Sequence, residues 1–131
     1  ESLTAPFTAD PFVASGDELS FRRPGVSGQV IRRLRRGEFR VDDELDLHGL
    51  TVAQSRVALR DFLTAALARH ARCVRIIHGK GLRSGHRGPV LKSTVSGVLR
   101  RVDAVVGYVS ARPVDGGTGA LYVLLAPGWG R

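Results

Sequence analysis

Strand-like and helix-like segments alternate along this sequence from Glu44 onward, and this order constrains the fold more than any other feature. Glu44 to His48 has the pattern of a strand, and Thr51-Val-Ala-Gln54 has the form of a capping box, which predicts a helix that runs to about His70. Cys73 to Ile77 is rich in β-branched residues and predicts a second strand.

The second half of this region repeats the alternation and then ends in two strands. Pro89 suits the first turn of another helix, whose apolar face would contain Leu91, Val95, Val98, Leu99 and Val102. Ala104 to Ala111 and Ala120 to Leu125 predict two strands joined by a glycine-rich hairpin loop. The order β-α-β-α-β-β predicts an α/β fold, and two crossover helices on one face favour a two-layer α/β sandwich with a four-stranded mixed sheet.

The first part of the chain has a different character. Residues 1 to about 25 mix proline and glycine without a sustained apolar period, which predicts an extended arm that needs a partner surface to become ordered. From Val26 to Arg36, apolar residues recur at helical spacing among arginines, which predicts a short basic helix that either packs on the domain or grips phosphates. We therefore expect an arm with a basic helix in residues 1–43 and an α/β domain in residues 44–131.

The charge of the chain indicates its class of partner. The formal net charge is +8, and 18 of the 20 basic residues are arginine, whose planar fork pairs bidentately with phosphate. This balance favours nucleic acid as the partner through counterion release, and a solvated basic surface with no partner is the alternative. Because aromatic residues do not interleave with the basic runs, we expect phosphate contacts and shape to dominate over base stacking.

Cysteine content and hydropathy bear on the compartment. Cys73 is the only cysteine, so the chain can form neither an internal disulfide nor a cysteine zinc cluster, and a reducing compartment fits best. No apolar run approaches the roughly 20 residues needed to span a bilayer. We expect a cytoplasmic protein with no membrane association.

A pair of polar residues lies at the end of the first predicted strand. Side chains alternate across a strand, so Asp46 and His48 project to one face, about 6.5 Å apart at Cα, while Leu45 and Leu47 project to the core. An aspartate at this spacing can orient an imidazole, or both groups can reach one substrate. A hydrogen-bonded surface pair without function fits the same pattern.

A loop with glycine and lysine follows the second strand, in His78, Gly79, Lys80 and Gly81. Backbone N–H groups in such a loop can turn toward a phosphate while Lys80 supplies charge, although the spacing of a nucleotide-binding P-loop is absent. An exposed loop without function is the alternative. The basic character continues through Arg83, His86, Arg87 and Lys92.

The histidines do not have the spacing of a metal site. No His-x-x-x-His pair or Cys/His pattern is present, so we expect no structural metal. Mg²⁺ at Asp46 remains compatible with a phosphate substrate, because magnesium is often held by one or two carboxylates and by phosphate oxygens.

Several motifs in this order resemble the Smr (small MutS-related) domain. They are Leu45-Asp-Leu-His-Gly49, Ile76-Ile-His-Gly-Lys-Gly81 with Arg83-Ser84, Val90-Leu-Lys92, and Gly116-Gly-Thr-Gly-Ala-Leu-Tyr-Val-Leu-Leu125. The resemblance covers about residues 44 to 125. Upstream, Phe21-Arg-Arg-Pro-Gly25 and Arg32-Arg-Leu-Arg-Arg-Gly37 resemble the lead-in of stand-alone bacterial Smr proteins.

The resemblance implies a small α/β fold similar to the C-terminal domain of bacterial translation initiation factor three. It also implies endonuclease activity on DNA or RNA, including messenger RNA at collided ribosomes. It assigns cleavage to Asp46 and His48, and it assigns substrate handling to His78, Gly79, Lys80 and Gly81 and to the hairpin glycines Gly116, Gly117 and Gly119. RNA cleavage would require no cofactor, whereas DNA cleavage would be helped by Mg²⁺. A non-catalytic module that binds nucleic acid or the ribosome is the alternative.

Overall fold

The computed structural model describes residues 17–80 and 87–127, and at residues 87–89 it describes the backbone alone. The strands are β1 (Ser20–Arg22), β2 (Asp43–Asp46), β3 (Cys73–Ile77), β4 (Val105–Ser110) and β5 (Ala120–Leu125). The helices are α1 (Gly28–Arg35), α2 (Val52–Ala68) and α3 (Arg87–Arg101). Two short 3₁₀ turns, Pro113–Asp115 and Gly117–Gly119, join β4 to β5.

The strands form one mixed sheet in the order β1-β4-β5-β3-β2. β2 and β3 are parallel and are connected through α2, whereas the β3–β5, β4–β5 and β1–β4 pairs are antiparallel. The predicted α/β fold with a parallel start and a closing hairpin is confirmed. The predicted number of four strands is wrong, because β1 adds a fifth strand to the edge of the sheet.

The added strand comes from the segment that we expected to be an arm. Ser20 pairs with Val109, and Arg22 pairs with Gly107. The expectation that this part of the arm needs a separate partner is wrong for residues 20–22, because the edge of β4 supplies the partner surface. An edge strand presents unpaired N–H and C=O groups, and β1 satisfies those of β4.

Helices cover both faces of the sheet. α2 and α3 pack on one face, as predicted, around a core that includes Leu59, Leu63, Val95, Leu99, Tyr108 and Leu121. On the other face, α1 lies over β1, β4 and β5 and buries Ile31 and Leu34. The basic helix therefore packs on the domain, as one of its two predicted roles requires, and adds a layer to the predicted two-layer sandwich.

Local capping explains where the helices begin. Thr51 Oγ1 accepts a hydrogen bond from the backbone N–H of Gln54 at 3.1 Å, and Gln54 Oε1 accepts one from the backbone N–H of Thr51 at 3.0 Å. This reciprocal pair is the predicted capping box, and it starts α2. At α1, Ser27 Oγ accepts from the N–H of Val30 at 3.2 Å, so the helix begins after Ser27.

Three segments with site residues meet at one edge of the sheet. Asp46 at the end of β2 pairs with Ile77 at the end of β3, and Ile77 pairs with Ala120 at the start of β5. β4 also ends there, since Ser110 pairs with Leu121. We call this the carboxyl edge of the sheet, and ligands of α/β sheets commonly bind at such an edge.

The packing of α1 and β1 against Gly107 is testable. A Cβ atom on Gly107 would lie 2.6 Å from Ile31 Cδ1 and 3.0 Å from the carbonyl oxygen of Phe21. Gly107→Ala should therefore lower the free energy of unfolding by about 1–3 kcal/mol in urea denaturation, because α1 and β1 must move.

Gly28→Ala is the matched control for this substitution. Its Cβ would meet only the flexible ends of arginine side chains, with Arg32 Nη1 nearest at 3.3 Å. Alanine also favours helix over glycine by about 1 kcal/mol, so stability should be retained or increased. Equal stabilities of the two variants would contradict the packing of α1 and β1 on Gly107.

Candidate functional site

Asp46 and His48 form a hydrogen-bonded pair at the end of β2. Asp46 Oδ1 accepts from His48 Nδ1 at 2.6 Å and from the backbone N–H of His48 at 3.0 Å. An ionised carboxylate only accepts, so Nδ1 carries the proton and Nε2 is left to accept or donate one. The side chains are 71% and 48% exposed for His48 and Asp46, whereas Leu47 is fully buried. The two polar groups thus face solvent together while the leucine faces the core, as strand alternation predicts.

The carboxyl group of Asp46 has a lowered pKa and is ionised at neutral pH. Burial raises the pKa of Asp46, but the hydrogen bonds from the side chain and backbone of His48 and the charges of His48 and Arg75 outweigh it. The pKa of the carboxyl consequently lies below its usual range. The ionised carboxylate holds the imidazole of His48 in one orientation.

The loop after β3 lies directly against His48. Gly79 has a φ of +87°, which favours glycine, and a Cβ there would lie 3.3 Å from the Cβ of His48. The backbone N–H groups of His78 and Gly79 both donate to the carbonyl of Gly119 at 3.0 Å. The prediction that backbone N–H groups of this loop turn toward a phosphate is therefore wrong for His78 and Gly79, because both N–H groups already donate to Gly119.

Lys80 packs on the glycine-rich turn. A Cβ on Gly119 would lie 3.0 Å from Lys80 Cγ, and a Cβ on Gly117 would lie 3.8 Å from Lys80 Nζ. Gly116 has a φ of +115°, and a Cβ there would approach Ala120 Cβ to 2.9 Å. These glycines let the turn come close to Lys80, which is exposed at the carboxyl edge.

His78 lies beneath the surface, with 1% of its area exposed. Its Nδ1–H donates to the carbonyl of Gly79 at 2.8 Å, and its buried Nε2 has no hydrogen-bond partner among the described residues. Burial lowers the pKa of His78 to about 4, against the raising effect of the Gly79 bond, and the charge of Lys92 lowers it further. His78 is therefore neutral at pH 7 and shapes the loop, and its contact with substrate stays a prediction.

The remaining predicted site residues fall into two groups. Lys92 was predicted to extend the basic character of the loop into the next helix and to bind substrate, but it is 1% exposed, burial lowers its pKa, and its ammonium donates to the carbonyl of Asp17, so it does not present its charge to a ligand. The side chain of Arg87 is not described. The residues that lie outside the described ranges are Gly81, Arg83 and His86.

A charged network beside the site was not predicted. Arg75 on β3 contacts Glu44 on β2 and donates to the carbonyl of Asp115 at 3.1 Å. The carboxylate of Asp115 accepts from the hydroxyl of Tyr122 and lies 3.4 Å from Arg112 Nη2. An arginine inside an otherwise apolar strand was the one available signal, since such a residue indicates a polar partner on that face.

No metal site or membrane helix is found in the parts of the chain that the structure covers. Within residues 17–80 and 87–127, no group of three or more His, Cys, Asp or Glu side chains is placed to hold a metal ion. Over the same residues, no helix combines the length and apolar character that crossing a membrane requires.

Comparison with known proteins gives a consistent result. The model of the Smr domain matches residues 45–126. The chain is 37% identical over 107 residues to the probable DNA endonuclease SmrA of Escherichia coli strain K12, covering 82% of this chain and 57% of that protein. It is 30% identical to the ribosome rescue factor SmrB of Tolumonas auensis, covering 88% of this chain and 63% of that protein. It is 36% identical to the ribosome rescue factor SmrB of Yersinia enterocolitica, covering 79% of this chain and 55% of that protein. The chain thus spans between 55% and 63% of the length of these curated relatives.

Two solved structures share the fold. The crystal structure of YdaL, a stand-alone small MutS-related protein from Escherichia coli, superposes with a TM-score of 0.80 at 35% identity, covering 94% of this chain and 92% of that one. The Smr domain of Thermus thermophilus MutS2 gives a TM-score of 0.56 at 34% identity and covers 65% of this chain and 99% of that one. The similarity to YdaL therefore extends beyond residues 45–126.

The buried, neutral state of His78 predicts a pH-dependent stability. Its folded pKa of about 4 lies below the ordinary value of 6.5, so the unfolded chain binds more protons between these values. The free energy of unfolding should thus fall as the pH drops through this window, by about 2 kcal/mol from pH 7 to pH 5 on account of His78. Urea denaturation at the two pH values measures this loss.

Two variants isolate the contribution of His78. His78→Asn keeps an N–H donor for the carbonyl of Gly79 but cannot titrate, so it should remove most of the difference between pH 7 and pH 5. His70→Asn should keep that difference, because His70 is exposed and its φ of 62° suits asparagine. An unchanged pH dependence in His78→Asn would show that another group is responsible.

Proposed function

Because the chain belongs to the Smr domain family, we propose that it is an endonuclease that cleaves phosphodiester bonds of RNA or DNA at the Asp46–His48 pair. The observation that carries the proposal is the 2.6 Å hydrogen bond from His48 Nδ1 to the carboxylate of Asp46. It leaves Nε2 on an exposed, oriented ring at the carboxyl edge, where the side chain of Lys80 is also exposed.

The proposed chemistry assigns one task to each side chain. Nε2 of His48 transfers the proton, and Asp46 holds the ring and stabilises its charged form. Lys80 stabilises negative charge that develops on the phosphate. This assignment rests on Lys80 and leaves out the N–H groups of His78 and Gly79, since both donate to Gly119.

The nature of the nucleic acid determines what else the reaction needs. In RNA, the 2′-hydroxyl loses its proton and attacks the adjacent phosphorus, and the 5′-oxygen leaves with a proton, which gives a cyclic phosphate without a metal ion. In DNA, a water molecule must be activated, and a bound Mg²⁺ would assist it. Asp46 is the described acid nearest to His48 and would be the metal ligand in that case.

A second candidate function is binding without cleavage. The net charge of +8 and the exposed arginines of α1 favour it, because such a surface binds polyanions irrespective of chemistry. Two relatives are named ribosome rescue factors, so a ribosome is a candidate partner in either case. Association with nucleic acid or ribosomes and a cytoplasmic location remain parts of this proposal.

Substitution of His48 separates the two candidates. His48→Ala should reduce the rate of cleavage by about 10²–10⁴-fold, since it removes a general acid–base group, while affinity for the substrate is largely kept. Lys80→Ala should weaken binding as well as cleavage. Rates from gel assays and affinities from fluorescence anisotropy measure the two effects.

The matched control for Lys80→Ala is Arg60→Ala, which also removes one positive charge but lies exposed on α2, on the other face of the sheet. It should leave cleavage near the wild-type rate. Cleavage by His48→Ala at the wild-type rate would rule out the catalytic assignment, and affinity lost equally in Lys80→Ala and Arg60→Ala would point to net charge alone.

The products distinguish the two routes of cleavage. Structured RNA and supercoiled DNA are incubated with the protein, with and without EDTA, at two salt concentrations. RNA cleaved in EDTA to a cyclic phosphate end supports transfer to the 2′-hydroxyl, whereas nicking of DNA that requires Mg²⁺ supports metal-assisted hydrolysis. Binding of either nucleic acid with no cleavage under any condition would favour the second candidate.

A further inference from the structure

A cleft separate from the Asp46–His48 pair lies between the last turn of α1, β1 and the loop after β4. It has a volume of about 320 Å³, which is enough for a small polar group. Its polar lining comes from Glu18, Ser20, Arg35, Ser110 and Arg112. None of these residues belongs to the Asp46–His48 pair or to the loop after β3.

Two arginines of this cleft keep most of their donors available. Arg35 Nη2 donates to Ser20 Oγ at 3.0 Å. Arg112 donates from Nε to the hydroxyl of Tyr122 at 3.3 Å and from Nη2 to Asp115 Oδ2 at 3.4 Å. A guanidinium has five N–H groups, so contacts among the described residues use one on Arg35 and two on Arg112.

The hydrogen-bond donors of the cleft favour an anion. Its lining holds two arginines and one acid, Glu18, and Asp115 pairs with Arg112 from outside the lining, so binding of an anion depends on the available N–H groups and not on net charge. The contacts of Arg112 with Asp115 and Tyr122 orient its guanidinium, and Gly37 lies close to it, since a Cβ on Gly37 would lie 2.5 Å from Arg112 Nε. An arginine held in this way is suited to bind phosphate with little further loss of side-chain entropy.

The cleft and the Asp46–His48 pair lie at the same edge of the sheet. β4, which leads into the cleft, is separated from β2 by β5 and β3. Three inter-strand steps of about 4.8 Å place the cleft about 14 Å from the pair. A strand that lies across both places would therefore span this distance with only a few nucleotides.

Residues in contact connect the two places along that edge. Arg112 lies next to Asp115, and the glycine turn that follows packs near Lys80, since a Cβ on Gly117 would lie 3.8 Å from Lys80 Nζ. Lys80 in turn follows Gly79, which packs on His48. A nucleic-acid strand that crosses the carboxyl edge would therefore meet a cation near the pair, at Lys80, and two more at the cleft.

We propose that this cleft is a second phosphate-binding site, in which Arg35 and Arg112 hold a phosphodiester a few nucleotides from the bond that is cut. The inference rests on the proposed function, because the strand it holds is the substrate of the Asp46–His48 pair. A second phosphate contact at the cleft would make binding affinity depend on the length of the nucleic-acid strand.

Binding measurements on His48→Ala protein test this site without interference from cleavage. The probes are fluorescein-labelled single strands of about two and about twelve nucleotides, as RNA and as DNA, titrated between about 50 and about 200 mM salt. Adding Arg35→Ala should weaken binding of the long strand about tenfold and reduce the salt slope by about one, because one phosphate contact is lost. Binding of the short strand at Lys80 should not change.

Three controls separate a phosphate contact from other effects. Arg60→Ala removes the same charge from the opposite face and should reduce the slope much less. Ser20→Ala removes the hydrogen bond to Arg35 but keeps both arginines, so it should retain the slope. Arg112→Lys keeps the positive charge but loses the planar guanidinium, so it should weaken binding of the long strand. Its urea denaturation midpoint should equal that of the wild type, which shows that the fold is intact.

The outcomes also distinguish this site from the proposed function. Equal binding of the long strand by Arg35→Ala and Arg60→Ala, or equal loss with short and long strands, would overturn the second site and leave catalysis at His48 untouched. Absence of binding to either strand would overturn it as well. Cleavage by His48→Ala at the wild-type rate would instead refute the proposed function, whereas the length dependence of binding would stand.

Discussion

The carbonyl of Gly119 holds the carboxyl edge together. It accepts the N–H groups of both His78 and Gly79, and in doing so it extends the pairing of β3 with β5 past the last strand residues. This contact ties the glycine turn to the loop after β3, so Lys80 is pressed against the turn and Gly79 against His48. The relative positions of the lysine and of the Asp46–His48 pair therefore depend on one acceptor in a distant hairpin.

Most of the fold was predictable because its signals are local. The capping box of α2, the β-branched run of β3 and the glycine-rich hairpin each lie within a few residues of the element they specify. β1 was not predictable, since a three-residue strand has too few residues to display alternation and its partner β4 lies far along the chain. The helical period of α1 was visible, but the face that it covers is set by where β1 and Gly107 place it.

The site residues also differ in whether local sequence or the packing of distant segments determines their positions. Asp46 and His48 are two residues apart in a strand, so alternation alone puts them together. Burial of His78 and Lys92 was not predictable, because lysine is usually exposed, histidine is buried only in some settings, and the packing of distant segments decides both cases. Arg112 was overlooked for a similar reason, since its role depends on neighbours in α1 and in the hairpin.

The two sides of the sheet are protected from unwanted strand pairing in different ways. On one side, the short strand β1 pairs with β4, and a chain shortened past residue 22 would expose the unpaired N–H and C=O groups of β4, which promotes aggregation. On the other side, none of the described residues adds a strand to the outer edge of β2, which carries Asp43, Glu44 and Asp46, whose charges discourage a foreign strand from pairing. One of these acids, Asp46, also orients the imidazole of His48, so the same side chain that discourages strand pairing holds the histidine in place.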